Sequence, residues 1–243
     1  MKERVYALDW LRGIAVLGMV LHHALFTWEQ IAYMFGDPIT FEVLQTGTFW
    51  VLQEIFVGLF LLISGICTAY SRNVLRRGAI VTGAALLITL VTGILLPLIG
   101  ITGLDIWFGI LHMIGLSMLL YGLFTHPKRW VGACTALGLF LIYLITVNSA
   151  GTAFASGILA IIGFPQEGFY SADYYPILPY FFVFLAGAVL GPVVREHRFP
   201  EFFYSKRIRP LEWVGRHSLW VYLAHQPILF GLFGLIYWLM YTV

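Results

Sequence analysis

Residues 79–99 read AIVTGAALLITLVTGILLPLI and contain no charged side chain. A helix that rises 1.5 Å per residue covers about 30 Å over such a stretch, which is the thickness of the hydrocarbon core of a bilayer. The whole chain has this character, because 60% of its 243 residues are hydrophobic and 11% are charged, whereas soluble domains carry about 25% charged residues. The apolar runs are continuous, which favours helices over the alternating strands of a barrel. The sequence therefore predicts an all-α, polytopic transmembrane helix bundle that forms a single domain over residues 1–243.

Seven apolar runs are long enough to cross a bilayer. They cover residues 8–28, 49–70, 79–99, 106–124, 131–147, 175–194 and 213–241. A shorter run, residues 152–164, contains two glycines and is typical of a re-entrant or interfacial helix. The prediction is thus about seven spans and one short helix that does not cross.

The basic residues indicate the orientation of these spans. All 14 Lys and Arg residues lie near the chain start, after spans two and four, or before and at the start of span seven. The loops on the opposite side of the membrane in this arrangement contain only acidic charges, such as Asp37 and Asp173. Cytoplasmic loops carry the positive excess in membrane proteins. We therefore predict a multi-pass protein of the cell inner membrane with a cytoplasmic N-terminus and an extracytoplasmic C-terminus.

Several kinds of site find no support in the sequence. Cys67 and Cys134 both lie inside apolar runs, which suggests neither a disulfide framework nor a cysteine-based metal site. No His-x-x-x-His pair, Walker sequence or Gly-x-Ser-x-Gly elbow occurs. We expect no metal cofactor and no nucleic-acid partner.

The first span carries three ionisable residues, Asp9, Arg12 and His23. Such residues are costly inside a bilayer and usually mark a function. At 100° per residue, Arg12 and His23 lie about 20° apart around the helix and about 16 Å apart in depth, with Asp9 near the same stripe. Two alternatives stay open: Arg12 can extend its charge to the interface, and His23 can lie in the outer headgroup region without a chemical role.

Two further groups are predicted at the depth of His23. Spans two and four both begin outside, which places Glu54 and His112 in their outer parts. A carboxylate beside an imidazole fixes its tautomer and makes it a better base. Glu54 is therefore the predicted partner of His23, and His112 a further catalytic candidate. The alternatives are a helix–helix hydrogen bond for Glu54 and a satisfied core histidine for His112.

Four stretches resemble one protein family when taken together and in order. They are ALDWLRGIA at 7–15, FGILH at 108–112, YYPILP at 174–179 running to Gly187 and Gly191, and GRHSL at 215–219 running to YLAHQP at 222–227. This set resembles the heparan-α-glucosaminide N-acetyltransferase catalytic-domain family in its short bacterial form. The first span also resembles the O-acyltransferases that modify surface polysaccharides, which carry an Arg, ten residues and then a catalytic His, as Arg12 and His23 do.

The resemblance implies a transmembrane acyltransferase that moves an acetyl or other acyl group from cytoplasmic acyl-CoA to a glycan amine or hydroxyl beyond the membrane. Animal lysosomal members use a histidine in the loop after the first span, but residues 27–49 contain none, so His23 is the proposed catalytic residue. It either takes a proton from the acceptor or carries the acyl group. The polyanionic end of CoA suits guanidinium groups. The assigned cofactor-binding residues are Asp9, Arg12, Arg72, Arg76, Arg216, His217 and His225.

Other readings remain open at this stage. The basic loops also satisfy topology and attract anionic lipid without any cofactor. A transporter or flippase for an anionic or lipid-linked substrate would use the same buried charges, and a non-catalytic scaffold is a third alternative. The acceptor, the acyl chain and the oligomeric state, including a homodimer, are not decided by the sequence.

Overall fold

The computed structural model of the protein describes residues 4–37, 39–124, 157–165 and 168–242. This part of the chain is all-helical. Its helices are α1 (Tyr6–Met34), α2 (Gly47–Ile66), α3 (Val74–Leu90), α4 (Ile110–Phe124), α5 (Gly157–Ile162), α6 (Ile177–Arg195), α7 (Phe202–Ser205), α8 (Arg209–Arg216) and α9 (Ser218–Thr242). Short 3₁₀ turns occupy Glu42–Gln45 and Cys67–Tyr70. Helix α3 continues through one π-helical turn, Val91–Leu95, into a short α-helical end, Leu96–Leu98.

Five helices within the described ranges are long and apolar enough to cross a membrane. They are Tyr6–Met34, Gly47–Tyr70, Val74–Leu98, Ile177–Arg195 and Ser218–Tyr241. Helix α4 is apolar but shorter. The predicted run 131–147 and the first part of the run 152–164 lie outside the described residues. The polytopic helical class is confirmed, whereas the total of seven spans stays a prediction.

Two predicted spans begin later in the structure than in the sequence prediction. The helix expected from residue 106 begins at Ile110, because Phe108 forms an isolated bridge with Tyr174 and accepts a hydrogen bond from Tyr175. The helix expected from residue 213 is interrupted at His217, because α8 packs as a separate short helix against α1.

The described chain divides into two compact units. One contains the residues up to Ile63 together with those from Phe199 onward, and the other extends from Ser64 to Arg198. The single domain predicted for residues 1–243 stays a prediction.

In the first unit, α1 and α9 run parallel. The contacts advance in step along both helices, from His23 with His225, through Trp28 with Phe233, to Phe35 with Tyr241. Beyond the histidines, a small core forms around Ile31, Ala32 and Tyr237. Parallel packing means that both helices begin at the same end of this unit.

In the second unit, α3 and α4 run antiparallel with close backbone contact. Leu75 lies against Gly122, Thr82 against Gly115, and Thr89 against His112. A Cβ atom at Gly115 would lie 2.7 Å from the backbone nitrogen of Thr82, so only glycine allows this approach. Small residues at such crossings are a common device of membrane helix pairs.

Candidate active site

Two histidines from the two ends of the chain meet in the first unit. The Nδ1 atom of His23 on α1 lies 2.8 Å from the Nε2 atom of His225 on α9. The two rings stack with centroids 4.9 Å apart and planes inclined by 22°. The parallel register of α1 and α9 therefore brings together residues that are 202 positions apart in sequence.

A backbone carbonyl determines the tautomer of this pair. The Nδ1 atom of His225 lies 2.5 Å from the carbonyl oxygen of Tyr222. A carbonyl oxygen only accepts, so Nδ1 of His225 carries the hydrogen and its Nε2 atom is the acceptor when the ring is neutral. His23 must then donate from Nδ1, which leaves the Nε2 atom of His23 with an unprotonated lone pair. That arrangement is the one a general base or a nucleophile requires.

A second hydrogen bond joins the same two helices next to the histidines. The hydroxyl of Thr27 donates to the Oε1 atom of Gln226 over 3.0 Å. Thr27 is completely buried and lies one helical turn beyond His23. The polar contacts 23–225 and 27–226 thus form a short ladder between α1 and α9.

His22 belongs to the packing around the pair. Its ring stacks on Phe49 at 5.1 Å and meets the ring of His23 edge-on at 5.4 Å. Among the described residues, its buried Nδ1 atom has no hydrogen-bond partner. These contacts are those of a packing residue.

The hydrogen bond at Nδ1 of His23 is made by a residue other than the predicted Glu54, whose role beside His23 stays a prediction. Glu54 lies half-buried on α2, but the hydrogen bond at Nδ1 of His23 is made by His225. His225, predicted as a cofactor-binding residue, lies beside His23, and its contact with the cofactor stays a prediction. The sequence argument missed the contact with His225, because depth along a span says nothing of which helix is adjacent.

His112 lies in the second unit with both ring nitrogens engaged. Thr89 donates its hydroxyl proton to the carbonyl of Ile106 at 2.7 Å, so its oxygen accepts from Nε2 of His112 at 3.0 Å. The Nδ1 atom of His112 accepts from the backbone N–H of Gly109 at 3.2 Å. These contacts favour the satisfied core histidine over a catalytic one and hold the loop that precedes α4.

The predicted cytoplasmic end of the first unit contains a buried carboxylate that the sequence prediction missed. Only 1% of the Glu212 side chain is exposed, and it accepts from Arg207 at 3.0 Å and from the backbone of Ile208 at 3.0 Å. Arg216 approaches the same carboxylate at 3.7 Å. The hydrogen bonds from Arg207 hold the pKa of Glu212 below its usual range. The guanidinium of Arg207 also lies 4.1 Å above the ring of Tyr6 on α1.

Helix α8 crosses the start of α1 in direct backbone contact. A Cβ atom at Gly13 would overlap the carbonyl of Leu211, and one at Gly215 would overlap the carbonyl of Asp9. Asp9 itself is buried and paired with Arg4 at 2.7 Å. The crossing therefore holds the backbone at Gly215, and with it that of the next residue, Arg216, beside the first turns of α1.

The remaining cofactor candidates are surface residues. Arg72 and Arg76 are exposed, and the backbone N–H of Arg76 is capped by the side chain of Asn73 at 2.8 Å. His217 is exposed, donates from Nδ1 to the carbonyl of Trp213 at 2.8 Å, and lies against its ring. In the described ranges, no three His, Cys, Asp or Glu residues are grouped as a metal site would need. That no metal is required stays a prediction.

One comparison with known proteins identifies a family. A family model described as "Heparan-alpha-glucosaminide N-acetyltransferase, catalytic" matches residues 4–227, which is most of the chain. The matched range contains both histidines of the pair and the crossing of α8 with α1. Nothing among the curated proteins or the solved structures matches this chain. The resemblance seen in the four sequence stretches is confirmed.

Proposed function

The chain belongs to the heparan-α-glucosaminide N-acetyltransferase catalytic family of transmembrane acetyltransferases, and we propose that it transfers an acetyl group from cytoplasmic acetyl-CoA to a glycan amine or hydroxyl on the extracytoplasmic side. The observation that carries the proposal is the His23–His225 pair, whose tautomer leaves a lone pair on Nε2 of His23. A transporter or flippase is not supported by the comparisons.

In the proposed reaction, Nε2 of His23 takes the proton of the acceptor hydroxyl or amine. The acceptor oxygen or nitrogen attacks the thioester carbonyl, and the carbon–sulfur bond breaks. The thiolate of CoA then receives the proton from His23, so that free CoA and the acetylated glycan leave. Because the hydrogen-bond chain ends at the carbonyl of Tyr222, which cannot carry a proton onward, the proton returns through His23 itself.

The nucleotide of acetyl-CoA is proposed to bind at the cytoplasmic end of α1. Arg12 lies eleven residues before His23, about 16 Å lower along the helix, and Arg216 is held near this end by the crossing of α8. Guanidinium groups bind phosphates through charge-assisted, bidentate hydrogen bonds. Asp9 pairs with Arg4, and its role as a cofactor-binding residue stays a prediction. Arg72, Arg76 and His217 stay predictions as further contacts.

The proposed orientation in the membrane follows from the placement of the basic residues. The N-terminus and the basic connections face the cytoplasm, and the C-terminus lies outside the inner membrane. The parallel directions of α1 and α9 support this assignment, because both spans are expected to begin on the cytoplasmic side. The acceptor is proposed to be a glycan of the cell envelope.

The proposal is tested with purified protein in lipid vesicles, labelled acetyl-CoA and a mixture of envelope glycans. We expect label in a glycan product with the wild type. His23→Ala should lower the rate about 10²- to 10⁴-fold, the usual contribution of a general base, and should still bind acetyl-CoA. His22→Phe is the matched control, because it keeps the stack on Phe49 and removes no group of the proposed mechanism. A fully active His23→Ala variant would refute the role of His23.

A further inference from the structure

Acyl transfer needs a hydrogen-bond donor as well as a base. When the acceptor attacks the thioester, negative charge develops on the carbonyl oxygen. Donors aimed at this oxygen commonly contribute the largest single share of catalysis in acyl transfer. The proposed mechanism so far assigns no group to this oxygen.

The donors of the α1–α9 ladder can be counted from their contacts. The hydrogen on Nδ1 of His23 is given to His225, and the hydrogen on Nδ1 of His225 is given to Tyr222. The hydroxyl hydrogen of Thr27 is given to Oε1 of Gln226. Each of these three donors is therefore already in use within the ladder.

The amide nitrogen of Gln226 is different. Because its oxygen accepts from Thr27, the orientation of the amide is determined, and its Nε2 group carries two N–H donors. Neither finds an acceptor among the residues that the structure describes. Thr27 is completely buried, so the group that holds the amide has little freedom to move.

We infer that the side-chain amide of Gln226 donates a hydrogen bond to the carbonyl oxygen of the acetyl thioester during transfer, with Thr27 as its positioning residue. This inference rests on the proposed function. Gln226 follows His225 directly, and Thr27 follows His23 by one turn, so the same two helices present the base and the donor. The amide N–H stabilises the charge on the oxygen until the carbon–sulfur bond breaks and CoA leaves as the thiolate.

If Gln226 only joined α9 to α1, a different result would be expected from its substitution. To tie α9 to α1, Gln226 needs only its Oε1 atom, and a carboxylate oxygen accepts from Thr27 equally well. Gln226→Glu therefore keeps the tie and the shape while removing both N–H donors. A catalytic donor is sensitive to this substitution, whereas a structural tie is not.

The test compares kcat and KM for acetyl-CoA in Gln226→Glu, Thr27→Val and Thr27→Ser. We expect Gln226→Glu to lower kcat about 10²- to 10³-fold, as loss of one such donor does, with KM for acetyl-CoA little changed. Thr27→Val should lower kcat less, because the amide stays but loses its anchor, and Thr27→Ser should restore it. Wild-type kcat in Gln226→Glu would overturn the inference.

A second measurement does not depend on turnover. In the infrared spectrum of bound acetyl-CoA labelled with ¹³C at the carbonyl, a donated hydrogen bond lowers the carbonyl frequency. We expect this shift in the wild type and its loss in Gln226→Glu and in Gln226→Met, which serves if the charged variant fails to fold. An unchanged band in the variants would overturn the inference. If the wild type transfers acetyl groups and both variants match it, only this inference fails; if the wild type binds acetyl-CoA but never transfers, the proposed function fails with it.

Discussion

The close crossing of α8 with α1, at the predicted cytoplasmic end of the first unit, can be tested by one substitution. We consider Gly215→Ala, which adds one methyl group at the point of closest approach. A Cβ atom there would overlap the carbonyl oxygen of Asp9 and would lie 2.8 Å from its carbon and 3.0 Å from the backbone nitrogen of Gly13. All three atoms belong to the backbone of α1, so no side chain can rotate away.

The size of the effect follows from these distances. Ordinary contact begins near 3.4 Å, so α8 must retreat by at least about 0.6 Å at the carbonyl carbon, and further at the oxygen. Overpacking of this kind costs about 1–3 kcal/mol, while alanine recovers up to about 1 kcal/mol of helix propensity relative to glycine. Because three backbone atoms are too close, the upper end of this cost applies, and we expect a net loss of about 2 kcal/mol, or about 4–8 °C in melting temperature for a protein of this size.

The assay is thermal unfolding of the purified variant in detergent, together with its affinity for acetyl-CoA. Gly231→Ala on α9 is the matched control, because no described atom beyond the neighbouring backbone of α9 itself lies within 4 Å of the position a Cβ would take there. We expect Gly231→Ala to melt at or above the wild-type temperature. Gly215→Ala should also bind acetyl-CoA more weakly, since Arg216 moves with α8. If the two variants melt together, the close crossing of α1 and α8 is wrong.

Three further predictions concern the charges. Because Arg207 lowers the pKa of Glu212, the ionised carboxylate should stabilise the protein at pH values above its unfolded pKa of about 4.3, and this stabilisation should disappear as the pH falls through the lower folded pKa. The melting temperature of Glu212→Gln should therefore fall less on acidification than that of the wild type. Equal falls in the two proteins would contradict this. Neutralising Arg12 or Arg72 should weaken acetyl-CoA binding more than acceptor binding in equilibrium titrations. An unchanged affinity for acetyl-CoA in both variants would mean that these arginines only orient the spans in the membrane. Cysteines placed near Asp37 and Asp173 should react with an impermeant reagent from outside. Cysteines near Arg76, Lys128 and Lys206 should react only after permeabilisation. Labelling of positions 173 and 206 from the same face would overturn the predicted orientation.

The sequence predicts the helical spans well because the bilayer imposes a length and a polarity on each span separately. The expected runs 8–28 and 49–70 lie inside the helices α1 and Gly47–Tyr70. The errors lie at helix starts that depend on other parts of the chain. Helix α4 begins late because Phe108 pairs with Tyr174, and the last span begins late because α8 packs on α1.

The sequence of one helix shows which of its residues share a face, but not which residues of another helix they contact. Periodicity and depth single out His23 as a residue on the predicted face of Arg12, and both residues lie on α1. They could not identify His225 as its neighbour, because the depth of a residue says nothing of which helix lies beside it. The structure places His225 against His23 and gives His112 two partners of its own.

By itself, the sequence therefore determined the membrane class, the positions of most helices and the family, because these depend on local apolar length, charge placement and short motifs. Tertiary structure alone decided the pairing of His23 with His225, the packing of α8, which carries Glu212, on α1, and the contact of Gly13 with Leu211. Each of these needs atoms from distant parts of the chain within a few ångströms of each other. Such proximity is set by helix packing, which no periodicity within a single span encodes.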